Sequence, residues 1–447
     1  VKPNAPTSHY RRNAFSTGIW AAALACLCSQ AGAQNLVSLY EAARAYDGTY
    51  LSARSLAASA PYKAEQANAL MRPNVALNSS ASRVNTEASG LNRSSNNTNL
   101  ALQARQPLFN RLNNALVDQA QKALDVSTYD LEAAEQDLII RVAQAYFDVL
   151  AAQDSLSTTQ TSKTAISEQL ASAKRNFEVG TATITDTREA QARFDLATAQ
   201  EIATENDLRT KRIALDQLVG QANVAPRPLA IPVKLPATTP ADVQAWVQRA
   251  EATHPTVQRA QLALDIAQLE IRKAQSGHAP TLDAVGSLSA NRSPSSLSSS
   301  SSVTSQAASV GLQLNVPIYS GNSVQNRIKE VIELENKARN DLDSARRGVT
   351  QAARQAFFGV QSGQAQVAAL EAAESSSQLA LEATQLGYKV GVRVNLDVLN
   401  AQTQLYTTRR DLAKARYDVL LGGLKLRQAS GQLQRQDLDS VNQLLAP

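Results

Sequence analysis

Residues 177–186 read FEVGTATITD and residues 388–397 read YKVGVRVNLD. Each stretch ends one long helix-forming run and begins another. From Asn110 to Phe177 there is no proline and no glycine; from Asn322 to Tyr388 there is no proline, and the glycines are Gly348, Gly359, Gly363 and Gly387. A run of about 67 residues at 1.5 Å each makes a helix roughly 100 Å long, too long for a globular core. Val179-Gly180 and Val390-Gly391 are helix stops of the kind that needs a left-handed residue. The spacing therefore predicts two helical hairpins, with shorter return helices over about Asp186–Val219 and Leu396–Ser430.

Outward from the two turns, the chain contains itself twice. Pro73 matches Pro280, Pro107 matches Pro317, and Ala145-Tyr146-Phe147 matches Ala356-Phe357-Phe358. Gly180 matches Gly391, Asp186 matches Asp397, and Gly220 matches Gly431. The offsets 280−73, 317−107 and 391−180 are 207, 210 and 211 residues, far beyond a solenoid period. The division expected is a first repeat over 34–243, a second over 244–431, and a tail over 432–447. Each repeat reads as helix, strand, loop, strand, very long helix, tight turn, helix.

The strands alternate. Val75, Leu77, Ser79 and Ala81 share one face, and Asn74, Ala76, Asn78 and Ser80 the other. The return strand sets Leu100, Leu102 and Ala104 against Ala101, Gln103 and Arg105. The second repeat does the same with Leu282–Ser289 and Val310–Val316. Polar loops are expected over Val84–Asn97 and Asn291–Gln306. Such alternation fits transmembrane β geometry and equally fits a soluble hairpin with one face on a core. Closure bears on the choice: four strands cannot close a barrel, and lipid tolerates no open edge, so several chains must pool their strands.

The helices carry a small-residue seam of coiled-coil type: Ala338, Leu342, Ala345, Val349, Ala352, Ala356 and Gly359, in steps of four and three. Each return helix is half as long as its partner. The helix before each hairpin of strands, about Thr49–Met71 and Thr256–Ser276, supplies the other half of that column. Each chain thus makes four columns and four strands, one to one.

The first 33 residues read as a secretory signal, with Arg11-Arg12, an apolar run from Gly18 to Cys28, and Ala31-Gly32-Ala33 as the cleavage site. The apolar run is shorter than the ~20 residues a membrane anchor needs. Cys26 and Cys28 both lie in that segment, without a convincing lipobox, so disulfide, thiol and acyl chemistry are not expected beyond it. Three of the 44 basic residues (Lys2, Arg11, Arg12) and none of the 39 acids lie there, leaving 41 against 39, a net of +2. That balance is no nucleic-acid footprint. His254 and His278 have no partner at ligand spacing, and no P-loop or nucleophile elbow occurs. No enzyme, cofactor or metal site is expected.

On these residues the chain resembles the TolC family of outer-membrane efflux and type I secretion proteins. The resemblance runs from Leu36 to about Leu438. Its most specific pieces are the two turns already quoted, extended to Ala401 in the second, with Ala415-Arg416-Tyr417 and Leu426–Gly431 fitting the last helix. It implies a homotrimer that is mainly α with transmembrane β. A 12-stranded β-barrel in the outer membrane would continue into a long α-helical barrel in the periplasm. The function implied is a passive exit duct, recruited by a periplasmic adaptor and an inner-membrane pump of ABC or RND type.

The resemblance also assigns roles. Val179, Gly180, Thr181, Val390, Gly391 and Val392 would dock the adaptor; Thr181 and Val392 depart from the Leu and Thr common there. Thr185, Asp186, Tyr388, Arg393 and Asp397 would hold the periplasmic entrance shut. Asp186 and Asp397 could instead serve as helix caps. Asn400 stands where the family commonly carries a second acid, which leaves one carboxylate ring at the constriction. The cargo stays open between drugs, metals and secreted proteins, with a lean towards secretion. A secreted coiled-coil structural protein or adhesin is the other reading; it leaves the strands unexplained.

Overall fold

A computed structural model describes residues 34–88, 91–230, 232–233, 235–294 and 302–446. The expected signal, 1–33, lies outside the described residues. In chain order the elements are α1 (Leu36–Tyr46), α2 (Gly48–Asn68), β1 (Asn74–Ala88), β2 (Leu91–Phe109), α3 (Arg111–Glu178) and α4 (Ile184–Val219). The pattern then repeats as α5 (Val243–Thr253), α6 (Pro255–Gln275), β3 (Thr281–Pro294), β4 (Ser302–Asn315), α7 (Ser323–Lys389) and α8 (Asn395–Ala429). A short α9 (Arg435–Asn442) follows. The lengths agree between halves: 11 and 21 residues for α1 and α2 against 11 and 21 for α5 and α6. The long helices have 68 and 67 residues, and the return helices 36 and 35.

The four strands form one antiparallel sheet in the order β1-β2-β3-β4. Its register keeps the two faces seen in the sequence. Leu77, Leu102 and Leu288 lie in line on one face, and Gln103 pairs with Ser287 on the other. Leu77, Leu288, Val310, Leu312 and Leu314 are all more than half exposed, so this face has no core within the chain. On the polar face Arg105 donates to the buried Asp283 at 2.6 Å.

The strands run further than the sequence reading allowed. β1 continues to Ala88 and β2 starts at Leu91, so most of the expected loop 84–97 is paired strand. In the second hairpin only 295–301 separate β3 from β4, and those residues lie outside the described ones. The reason is that polarity does not break a strand. Ser, Thr and Asn alternate as well as leucines do when both faces meet water. A membrane crossing takes only ~9–11 residues, so the polar ends extend past the apolar band.

The columns follow the strands. In the half of the helical layer next to the sheet, α2 packs on α3, α3 on α6, and α6 on α7; in the far half α4 packs on α3, α3 on α8, and α8 on α7. The order is α2/α4, α3, α6/α8, α7. It matches β1, β2, β3, β4, because each strand joins its own column. Two edges are left open, at α2/α4 and at α7.

The seam of α7 is Leu342, Val349, Ala353, Phe357 and Val360. Beyond Val349 it runs one residue later than the expected Ala352, Ala356 and Gly359. A helix near 3.6 residues per turn drifts against a strict heptad, and burying Phe357 outweighs burying the neighbouring Ala356.

Apolar packing is densest at mid-height. α1 inserts Leu36, Leu39 and Tyr40 against Leu138–Leu150 of α3, the end of α4, Tyr417–Leu424 of α8, and Leu438 of α9. The Tyr417 hydroxyl donates to Asp154 at 2.6 Å, and Tyr146 donates to the carbonyl of Arg227, pinning the proline-rich linker. Burial pushes both tyrosine hydroxyls well above their ordinary range.

Nearer the sheet, Glu270 of α6 ties three columns together. It accepts from Gln119 of α3 at 2.8 Å and from Arg327 of α7 at 2.8 Å, with Lys273 beside it. Burial alone would raise its pKa, but the hydrogen bonds from Gln119, Lys273 and Arg327 outweigh burial and bring it to about 2. A lowered carboxylate pKa stabilises above the unfolded value and loses that contribution as pH falls to the folded one. Glu270→Gln should therefore destabilise at neutral pH by about 2 kcal/mol. The melting-temperature gap to the unmodified protein should shrink between pH 4.5 and pH 2. A gap constant down to pH 2 would rule out this linkage.

Candidate functional site: the paired helical tips

Both turns end their helices the same way. Gly180 has φ +78° and Gly391 φ +81°, the left-handed region that suits glycine. Thr181 N–H returns to the Asn176 carbonyl at 2.8 Å, and Val392 N–H to the Gly387 carbonyl at 2.9 Å. Space around both glycines is open, with no atom within 4 Å of a built Cβ. Val179 is 72% exposed, Val390 65% and Val392 75%, and Thr181 is exposed too. The structure thus gathers Val179, Gly180 and Thr181 on one tip and Val390, Gly391 and Val392 on the other, as small apolar projections into solvent.

The polar residues past the turns are placed differently from one another. Asp186 sits at the third position of α4 in a capping box: its carboxylate accepts from Thr183 N–H at 3.0 Å and from the Thr183 hydroxyl at 2.7 Å. The cap residue itself is Thr183. Asp397 is the equivalent residue of α8. Its cap partner is Val394, which has no hydroxyl, so Asp397 takes a long bond from Val394 N–H, 3.4 Å. Asp397 is free to pair with Arg393, at 3.6 Å. Thr185 is exposed. Tyr388 is half-buried against Leu381, Val398 and Leu405, and its hydroxyl accepts from Asn176 at 3.1 Å. Among the described residues of one chain, Asp186 is not joined to Tyr388 or Arg393.

Near the tips, among the described residues, three side-chain bonds cross between the hairpin α3/α4 and the hairpin α7/α8. Asn176 of α3 donates to Tyr388 of α7. Gln169 of α3 donates to the buried Asn395 of α8. Arg193 of α4 donates to Asn400 of α8 at 3.0 Å. Beneath them Ile166, Leu170, Ala173, Ala190 and Leu399 form a small apolar cluster. Of these cross-linking residues only Tyr388 and Asn400 stand out in the sequence. Gln169 and Arg193 are ordinary mid-helix polar residues by pattern, and Asn176 is a polar residue in the last turn of α3. The one signal that pointed near them was Asn400, read as a departure from an acid. Among the described residues no group of three or more metal-ligating side chains converges, and no helix is long and apolar enough to cross a membrane. His254 caps α6, its Nδ1 accepting from Thr256 N–H at 3.1 Å.

Comparison with known proteins follows the same two-part layout. The family model described as outer membrane efflux protein matches twice, over residues 30–221 and 246–432. The outer membrane protein TolC of Escherichia coli strain K12 is 33% identical over 429 residues, 93% of this chain and 85% of that one. The alkaline protease secretion protein AprF of Pseudomonas aeruginosa is 33% identical over 310 residues, 68% of this chain and 64% of that one. The CmeC outer membrane channel of Campylobacter jejuni superposes with a TM-score of 0.77 at 14% identity, covering 100% of this chain and 98% of that one, a likeness of fold. With both halves matched and a third of residues shared with TolC over nearly its whole described length, the chain belongs to the outer membrane efflux protein family, and it is an outer-membrane exit channel with its helical barrel in the periplasm.

Proposed function

We propose that three copies close side by side into a duct, each contributing four strands and four columns. The observation that carries this is where the exposed large apolar side chains lie. On the helices they concentrate on the two edge columns: Leu56 and Tyr62 of α2, Ile202 and Ile213 of α4, Phe358, Leu379 and Leu386 of α7. On the inner columns α6 and α8 none is exposed, and α3 exposes only Leu112 and Phe177, at its two ends. An apolar stripe along both open edges, continued by the unpaired edges of β1 and β4, asks for lateral partners of the same kind. The two repeats, 34–243 and 244–431, would then give the ring a pseudo-sixfold wall, with 432–447 in the mid-height belt. The apolar sheet face would meet outer-membrane lipid.

In this reading the tips at Val179–Thr181 and Val390–Val392 dock a periplasmic adaptor, which joins the duct to an inner-membrane pump. Thr185, Asp186, Tyr388, Arg393 and Asp397 belong to the entrance, together with the cross-links from Gln169, Asn176 and Arg193. The protein supplies no energy; cargo moves passively once the entrance opens. Secretion of protein cargo is the preferred assignment, and the similarity to a protease secretion protein supports it.

The test is mass measurement after detergent extraction from the membrane fraction. The unmodified protein should run as a trimer. Phe358→Asp, a charge in the middle of the α7 edge, should reduce trimer yield at least tenfold. A monomeric unmodified protein, or a trimer indifferent to Phe358→Asp, overturns lateral closure.

A further inference from the structure

A groove of about 220 Å³ lies just above the Arg193–Asn400 link, between α3, α4 and α8. Two of its walls are single helix faces with the same spacing. Arg193, Leu196, Ala197 and Gln200 come from α4; Thr403, Tyr406, Thr407 and Arg410 come from α8. Positions at i, i+3, i+4 and i+7 line up over about 10 Å of helix. α3 supplies the floor, with the buried Ile166 and the hydroxyls of Thr158, Thr159 and Ser162. The groove therefore has an apolar base, an aromatic side, a hydroxyl rim and a guanidinium near each end.

Its charge is not balanced. Arg410 is paired to Asp411 at 2.9 Å. Arg193 bonds to the Asn400 side-chain oxygen, a neutral acceptor. Had position 400 been an acid, Arg193 would be neutralised by it. As the chain stands, a fixed positive charge faces a half-enclosed apolar cavity with spare N–H donors.

We infer that this groove binds a small amphipathic anion, a carboxylate or sulfonate on a compact aryl or alkyl body, with its charged head on Arg193. Ile166, Leu196 and the Tyr406 ring cover the body, while Thr158, Thr159 and Ser162 line the end of the groove away from Arg193. Such a ligand touches α4 and α8 at once, so it staples the two hairpins in the arrangement described. The stapling role rests on the entrance reading above; the binding site does not.

The probe is benzenesulfonate, with neutral benzenesulfonamide as its comparison, titrated by calorimetry into the purified full-length protein in detergent. Benzenesulfonate should bind saturably, one per chain, and at least tenfold more tightly than the sulfonamide. Arg193→Gln should weaken it at least tenfold. Asn400→Asp, which keeps the Arg193 bond and supplies the missing countercharge, should weaken it at least fivefold. Arg209→Gln, on α4 and paired with Glu205 outside the groove, should leave it unchanged. No saturable binding, or equal affinity in Arg193→Gln and the unmodified protein, overturns the site. Single-channel conductance read with and without the probe separates the second idea: lower conductance supports stapling, while binding with unchanged conductance removes the stapling role and leaves the site.

Discussion

Replacing Gly180 or Gly391 by leucine should abolish export while leaving the yield of assembled protein intact. Both glycines sit in the left-handed region, φ +78° and +81°. An L-residue there costs roughly 1–2 kcal/mol. That strain is too small to unfold a chain this size, and no neighbour lies within 4 Å of a built Cβ at either position. A side chain added at either site therefore collides with nothing in the chain itself; it fills space on the outer surface of the tip. Alanine and leucine separate the two possible causes. They carry similar backbone strain, but only leucine adds bulk to the proposed docking surface. Export kept by Gly→Ala and lost by Gly→Leu, at both tips, marks a docking contact. Equal loss from both substitutions would mean that turn geometry matters and docking does not. Normal export from both leucine variants would remove any role for the tips.

Those glycines were legible because the turn is local chemistry. A helix that runs 68 residues without glycine or proline and then meets Val-Gly has few other ways to stop. The duplication made each half a check on the other, and the strand faces survived because a period of two fixes register wherever one face is apolar. What failed was legible only in part. Val84–Asn97 has the composition of a loop, but its strand pairing is made by the backbone, so polar side chains did not decide its state. The α7 seam slipped because its mostly small residues fit two neighbouring stripes almost equally, and Phe357 chose between them. The cross-links were not legible at all as pairs. Gln169 meets Asn395 across 226 positions of sequence, and only the packing of α8 on α3 brings them together.

The placement of those links changes which residues should matter most at the entrance. Arg393 lies in the turn and pairs with Asp397 in the first turn of α8, so within one chain that contact stays inside a single hairpin. Arg393→Ser alone should then raise conductance only slightly, unless Arg393 also reaches a neighbouring chain. Asn176–Tyr388, Gln169–Asn395 and Arg193–Asn400 span the two hairpins that must part if the entrance widens. Each is a partly solvated bond worth about 1 kcal/mol. Losing one shifts a closed–open balance about fivefold, and losing all three shifts it on the order of 100-fold. The expected result is a graded series in planar-bilayer conductance. Tyr388→Phe should conduct slightly more than the unmodified protein. Adding Gln169→Ala should raise conductance further, and Arg193→Gln on top of both should give the largest open fraction. Asp397→Asn should act separately, reducing block by divalent cations, because Asn400 offers no second carboxylate beside it. The order is as informative as the size. If the triple variant conducts no more than Arg393→Ser, the three bonds merely pack one chain, and the entrance is held by contacts between chains.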